Sequence, residues 1–221
     1  MPKKDISTAK CQRVVNFYLL AKAIVIDEGF GEEIEWQNGV RFSEVDERIF
    51  LREVAWVILS SGMREAVVRD KFPAFSLAFH DWAGASQIIM NARCCRKSAY
   101  RVFAHRGKID SIIEIARLIN DNGFCDFKDK IASQGVAFLQ SLPFLGPATS
   151  YHLAKNVGLD VVKPDRHLLR ISSLAGYASP GELCQGISSV VGDRLSVVDL
   201  VVWRYATLNP GYRHFLSSYL H

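Results

Sequence analysis

Apolar residues recur at three- and four-residue intervals along most of this chain, and that period commits it to helices. Phe50, Val54, Val57 and Ile58 fall on one stripe, and Ile112, Ile113, Ala116 and Ile119 on another. The stripe ends carry matching punctuation. Ser7 is placed to cap a helix running to about Asp27, and Ser43, with Glu44 and Asp46 in the first turn, to open one through Ile58. Residues 64–72 read as a helix stopped by Pro73. The stripe over 109–120 ends at Asn122-Gly123, and 147–157 has Pro147 in its first turn and Gly158 beyond its end. Segments 165–174 and 196–207 complete the helical set. Residues 29–42 break the rhythm: Ile34, Trp36 and Val40 around Asn38-Gly39 predict a short hairpin or an irregular loop. There is no long linker, repeat or low-complexity tract. The expectation is an all-α protein, one unit of two packed helical lobes over 1–221.

Composition narrows the surroundings. Of 221 residues, 49% are hydrophobic, enough for a sizeable core. The most apolar stretch, from Val14 to Ile26, is interrupted by Lys22, so no membrane partner is expected. The opening Met1-Pro2-Lys3-Lys4-Asp5 lacks the apolar core of a signal peptide. Cys11, Cys94, Cys95, Cys125 and Cys184 have spacings that suit neither zinc nor a disulfide framework. They read as buried or inert reduced thiols in a cytoplasmic protein.

The net charge of +4 is mild, but its distribution is uneven. Arg93, Arg96, Lys97, Arg101, Arg106 and Lys108 crowd one stretch. Arg93, Lys97, Arg101 and His105, spaced by four, would form one line on a helix. Such a line either tracks phosphates or is an ordinary solvated face.

The most informative stretch is Leu142-Pro143-Phe144-Leu145-Gly146-Pro147-Ala148-Thr149-Ser150. A helix ends near Leu142, a tight turn follows, and another helix begins near Pro147. A turn feeding a helix start presents backbone N–H groups to phosphate without reading sequence. Seventeen positions after Ala148 stands Asp165, in Lys163-Pro164-Asp165-Arg166-His167-Leu168-Leu169. Pro164 pins the chain, and Asp165 is suited to cap the next helix. A carboxylate held there is either a plain cap or the anion that stabilises a cationic sugar and activates water as a base departs.

The hairpin, the helix after it and the Pro-Asp-x-His element resemble the helix–hairpin–helix DNA glycosylases, which include endonuclease III and the 8-oxoguanine glycosylases. His152-Leu153-Ala154-Lys155-Asn156-Val157-Gly158, followed by Asp165-Arg166-His167-Leu168-Leu169, is most similar to the archaeal-type 8-oxoguanine branch. Leu59-Ser60-Ser61-Gly62-Met63 is similar to the family loop that fills the hole left by a flipped base. There Ser61, Gly62 and Met63 either face DNA, with Met63 as the wedge, or form a plain interhelix turn. The resemblance spans roughly 44–174, with its core at 136–175. It implies a partner, double-stranded DNA carrying a damaged or modified base, and a monomeric two-lobed helical fold. Asp165 is then the catalytic carboxylate. Gly146, Pro147, Ala148, Thr149, Lys163, Arg166 and His167 are then DNA-binding, His167 serving the DNA backbone, Asp165 or the structure alone.

Departures from the family pattern sharpen the expectation. Bifunctional relatives carry a lysine nucleophile where this chain has Ala148, and alanine forms no Schiff base. A monofunctional enzyme that leaves an intact abasic site follows. Phe144 replaces the first hairpin glycine. The four-cysteine pattern of the family's iron–sulfur cluster is absent, so no cluster and no chemical cofactor are expected. The family hairpin also holds a sodium or potassium ion through backbone carbonyls, which here match Gln140, Leu142 and Leu145. Lys155 reads as a solvated surface residue, and Trp203, Arg204 and Tyr205 as core. Two alternatives stay open: a lyase with a displaced lysine, Lys155 or Lys163 being nearest, and a non-catalytic DNA-binding protein. The excised base is open as well, from oxidised or alkylated purines to bulky modified bases of foreign DNA.

Overall fold

A computed structural model describes the backbone of residues 3–220 and the side chains of residues 11–220. The helices run α1 (Lys3–Val25), α2 (Gly31–Gly39), α3 (Glu47–Ser60), α4 (Glu65–Ala78), α5 (Ala85–Met90), α6 (Ala92–Val102) and α7 (Arg106–Asn122). Then follow α8 (Phe124–Gln134), α9 (Val136–Gln140), α10 (Pro147–Asn156), α11 (Arg166–Leu174), α12 (Pro180–Val191), α13 (Leu195–Leu208) and α14 (Tyr212–Tyr219). No strand occurs among the described residues, so the chain is all-α. None of the described helices is long and apolar enough to cross a membrane. The chain forms two compact units, Met1–Val40 with Asp160–His221, and Arg41–Leu159.

The first unit joins both ends of the chain. Val197, Val198, Val201 and Val202 of α13 are buried among Val14, Phe17, Tyr18 and Ala21 of α1, with Phe17 edge-on to Tyr205 at 5.3 Å. Burying each large apolar side chain contributes about 1.5–3 kcal/mol, so α1 supplies much of what holds α13. Trp203 and Arg204 lie at the edge of this core, half-buried, while Tyr205 is inside it.

In the second unit α3 is the central element. Phe50, Leu51, Val54, Ala55, Val57, Ile58 and Leu59 are all buried, and the helix packs on α4, α7 and α10.

Several expectations needed correction. Residues 29–42 hold a helix, α2, not a hairpin. Glu32 and Glu33 suit its first turn, and both Glu33 carboxylate oxygens accept from Arg204, at 2.6–2.9 Å. Asn38-Gly39 ends that helix instead of turning two strands. Helix α1 begins at Lys3, so the backbone at Ser7 is already helical; the side chain of Ser7 lies outside the described residues. Asp46, not Ser43, caps α3, accepting the Ile49 N–H at 2.7 Å. Pro73 does not stop α4: it sits on the exposed face while Phe72 and Phe75 are buried beside it. Packing of those rings outweighs the lost backbone bond. The cysteines are all free, as expected, but Cys94 and Cys125 are exposed.

Candidate nucleic-acid interface

The hairpin lies in the second unit. Gln140 ends α9, and the Leu145 N–H closes the turn onto the Leu142 carbonyl at 3.2 Å. Gly146 precedes α10 and Pro147 is its first residue. Among the described residues the N–H groups of Gly146, Ala148 and Thr149 have no acceptor, and these three residues lie at the surface or partly exposed. The first bond of the helix is Ser150 N–H to the Gly146 carbonyl, 2.9 Å. Open donors at a helix start form an anion site.

Gly146 is not demanded by the fold. Its φ of −80° and ψ of −177° suit any residue, and a Cβ built there meets nothing within 4 Å. A glycine where the protein has room for a side chain fits close approach of a ligand to the backbone. Phe144, by contrast, has a φ of 66°, the left-handed region that costs a bulky residue about 1–2 kcal/mol. Its ring lies 5.8 Å from the Lys108 ammonium and edge-on to His105 at 5.9 Å. Those contacts offset the strain and hold the turn between α9 and α10.

The turn after α3 belongs to the same unit. Ser61 ends the helix, Gly62 has a φ of 69°, and Met63 is 42% exposed. The Met63 N–H returns to the Ser60 carbonyl at 3.1 Å. An exposed, unbranched apolar side chain at the tip of a tight turn has the shape of a wedge.

The basic line is shorter than expected. Arg93, Lys97 and Arg101 are exposed on α6 and bond to no described residue. His105 lies off that helix. The chain leaves α6 at Val102, and the His105 ring Nδ1 accepts the Lys108 N–H at 3.3 Å as the cap of α7. Lys155 is 7% exposed and has an interaction partner, so it is not a solvated residue. Leu153, Ala154 and Asn156 beside it on α10 are buried as well.

The aspartate element belongs to the first unit. Asp165 caps α11 with one oxygen: Oδ1 accepts the N–H groups of His167 at 2.8 Å and Leu168 at 2.9 Å. Oδ2 accepts nothing from the described residues, and Asp165 is half-buried. Its own N–H bonds back to the Lys163 carbonyl at 2.8 Å, with Pro164 between. The Lys163 N–H donates to the Asp199 carboxylate at 2.5 Å, and Asp199 on α13 is 2% exposed. His167 Nδ1 lies 3.2 Å from the Tyr212 hydroxyl, and its Nε2 accepts from Arg166 at 3.3 Å. With Nε2 an acceptor, Nδ1 carries the proton and donates to Tyr212. The His167 ring is therefore held by α14, and it is the backbone N–H of His167 that reaches the Asp165 carboxylate. Lys163 is half-buried and Arg166 exposed.

Sequence reading missed Asp199 and Tyr212. Asp199 had one visible signal, a lone acid in the otherwise apolar run Val197-Val198-Asp199-Leu200-Val201-Val202. Buried acids persist where they are partnered.

Among the described residues no group of three His, Cys, Asp or Glu side chains is placed to hold a metal ion. The backbone carbonyls of Gln140 and Leu145 accept no bond from described residues, and Leu142 has a second lone pair beyond its bond to Leu145. Compared with known proteins, the chain matches no family model, no curated protein and no solved structure.

Proposed function

We propose that this chain is a monofunctional DNA N-glycosylase of the helix–hairpin–helix type, acting on a damaged or modified base flipped out of double-stranded DNA. The observation that carries the reading is the half-engaged carboxylate of Asp165. One oxygen is fixed by its own helix start, and the other is left for a reaction partner.

As the glycosidic C1′–N bond breaks, its electron pair leaves with the base and the sugar becomes cationic. The free Asp165 oxygen stabilises that cation. It then takes a proton from the water whose oxygen bonds to C1′. Asp199 and Pro164 hold the segment before Asp165, so little reorganisation accompanies the step. The N–H groups of Gly146, Ala148 and Thr149 receive phosphate, and Met63 fills the vacated stack. The carbonyls of Gln140, Leu142 and Leu145 would hold a sodium or potassium ion, which would add positive charge to the hairpin.

Ala148 supplies no amine, and Lys155 is buried and partnered, which weighs against a lyase. The test is incubation of the purified protein with duplexes carrying a panel of modified bases. Free base should appear while strands stay intact until hot alkali. Strand cleavage at neutral pH with a borohydride-trapped adduct would contradict the monofunctional reading. Binding without release of any base would favour the non-catalytic one.

A further inference from the structure

Lys108 is a charged residue with no part in base excision as proposed, yet it is 2% exposed. Its ammonium donates to the Leu59 carbonyl at 2.8 Å and the Ser61 carbonyl at 2.6 Å. At the end of α3 the Val57 carbonyl is taken by Ser61 N–H and the Ser60 carbonyl by Met63 N–H. Lys108 thus satisfies two of the carbonyls that the helix end leaves over. Its remaining face meets the Phe144 ring of the hairpin at 5.8 Å. One ammonium therefore touches the turn that carries Met63 and the turn that leads to Gly146. Burial lowers its pKa from the usual lysine value, yet the two carbonyls and the ring all favour the charged form.

We propose that Lys108 is the positioning residue that locks the gap-filling turn to the phosphate-gripping hairpin, so that the two engage DNA as one rigid piece; the DNA role rests on the glycosylase reading. Elsewhere in the same unit Lys128 makes the same kind of clamp. It donates to the Ser43 and Val45 carbonyls at 2.9 and 2.7 Å and faces the Phe42 ring at 5.5 Å. Lys128 touches neither turn, which makes it the control.

The experiment compares Lys108→Met, Phe144→Leu and Lys128→Met in the full chain by two readouts. The first is amide hydrogen exchange without DNA at Met63 and Leu145, whose N–H groups are bonded in the two turns. Lys108→Met should raise exchange at both amides about tenfold or more. Phe144→Leu leaves Lys108 in place and should raise exchange at Met63 as well as Leu145. Lys128→Met should change neither. The second readout is affinity for a duplex with a tetrahydrofuran abasic analogue relative to an intact duplex. Lys108→Met should lose about tenfold of that preference, and Lys128→Met none. Met63 exchange unmoved by Phe144→Leu would overturn the proposal, as would full retention of the preference in Lys108→Met. Absence of any preference in the wild type would count against the glycosylase reading, and the exchange arm would still decide the coupling.

Discussion

The two ends of α10 are both marked by glycine, for opposite reasons. At the C-terminal end Gly158 has a φ of 84°, and a Cβ there would lie 2.6 Å from the Phe42 nitrogen and 2.7 Å from the Arg41 carbonyl carbon. Around it Lys155, Asn156 and Val157 are buried, and Asn156 donates to the buried Glu53 at 2.9 Å. At the N-terminal end Gly146 has ordinary dihedrals, open space and unengaged N–H groups nearby. The fold engages one end of the helix and leaves the backbone donors at the other unengaged. Glycine content alone does not distinguish these roles; the space around the missing Cβ does.

Substitution separates the two ends most strongly at the glycines. Gly158→Ala forces backbone overlap and a left-handed residue, and should cost about 3 kcal/mol or more in urea unfolding. Gly146→Val should leave stability within about 0.5 kcal/mol. It should weaken binding to every DNA sequence by about tenfold, because a branched side chain keeps phosphate from the backbone N–H groups. A sequence-selective loss, or a Gly146 variant as unstable as that at Gly158, would erase the distinction.

Arg93, Lys97 and Arg101 are exposed on α6, and their substitution asks whether that helix also meets phosphate. Changing Arg93, Lys97 and Arg101 to Ala should make the negative slope of log K against log salt shallower by roughly 0.9 for each phosphate no longer neutralised. An unchanged slope would assign them to the solvated surface.

The smallest effect is expected at the fold-facing end. Burial raises the Glu53 carboxyl pKa above the usual range, against the lowering by the Asn156 hydrogen bond and by Arg52. A raised folded-state pKa means that stability from Glu53 is fully present below the ordinary carboxyl value and is lost as pH rises through the folded value. Glu53→Gln keeps a partner for Asn156 and needs no ionisation. Its thermal midpoint should exceed wild type by a few degrees at neutral pH and converge with it in acid. DNA binding should be unchanged.

The helix starts that depend on neighbouring residues were legible in the sequence. Pro147 at the head of α10 and Asp165 before Arg166 stand where local capping chemistry puts them. What escaped was set by distant contacts. Helix α2 is held by the Glu33–Arg204 pair, whose members are 171 positions apart, and nothing near Asn38-Gly39 announces that. Asp199 supports Lys163 from 36 positions away. His105 keeps the four-residue spacing but lies off the helix, and the break after Val102 leaves no mark in the sequence because it carries neither glycine nor proline. The segments up to Val40 and beyond residue 174 lie outside the span of the resemblance, and in the structure they belong to the unit that carries Asp165.

The central claim is that the free oxygen of Asp165 does the chemistry, and Asp165→Asn tests it most directly. Asparagine keeps an oxygen to cap α11 but removes the anion. Single-turnover base release from a modified duplex, with binding measured alongside, should fall by at least about a hundredfold while affinity is retained. Release within about tenfold of wild type would contradict the assignment of Asp165.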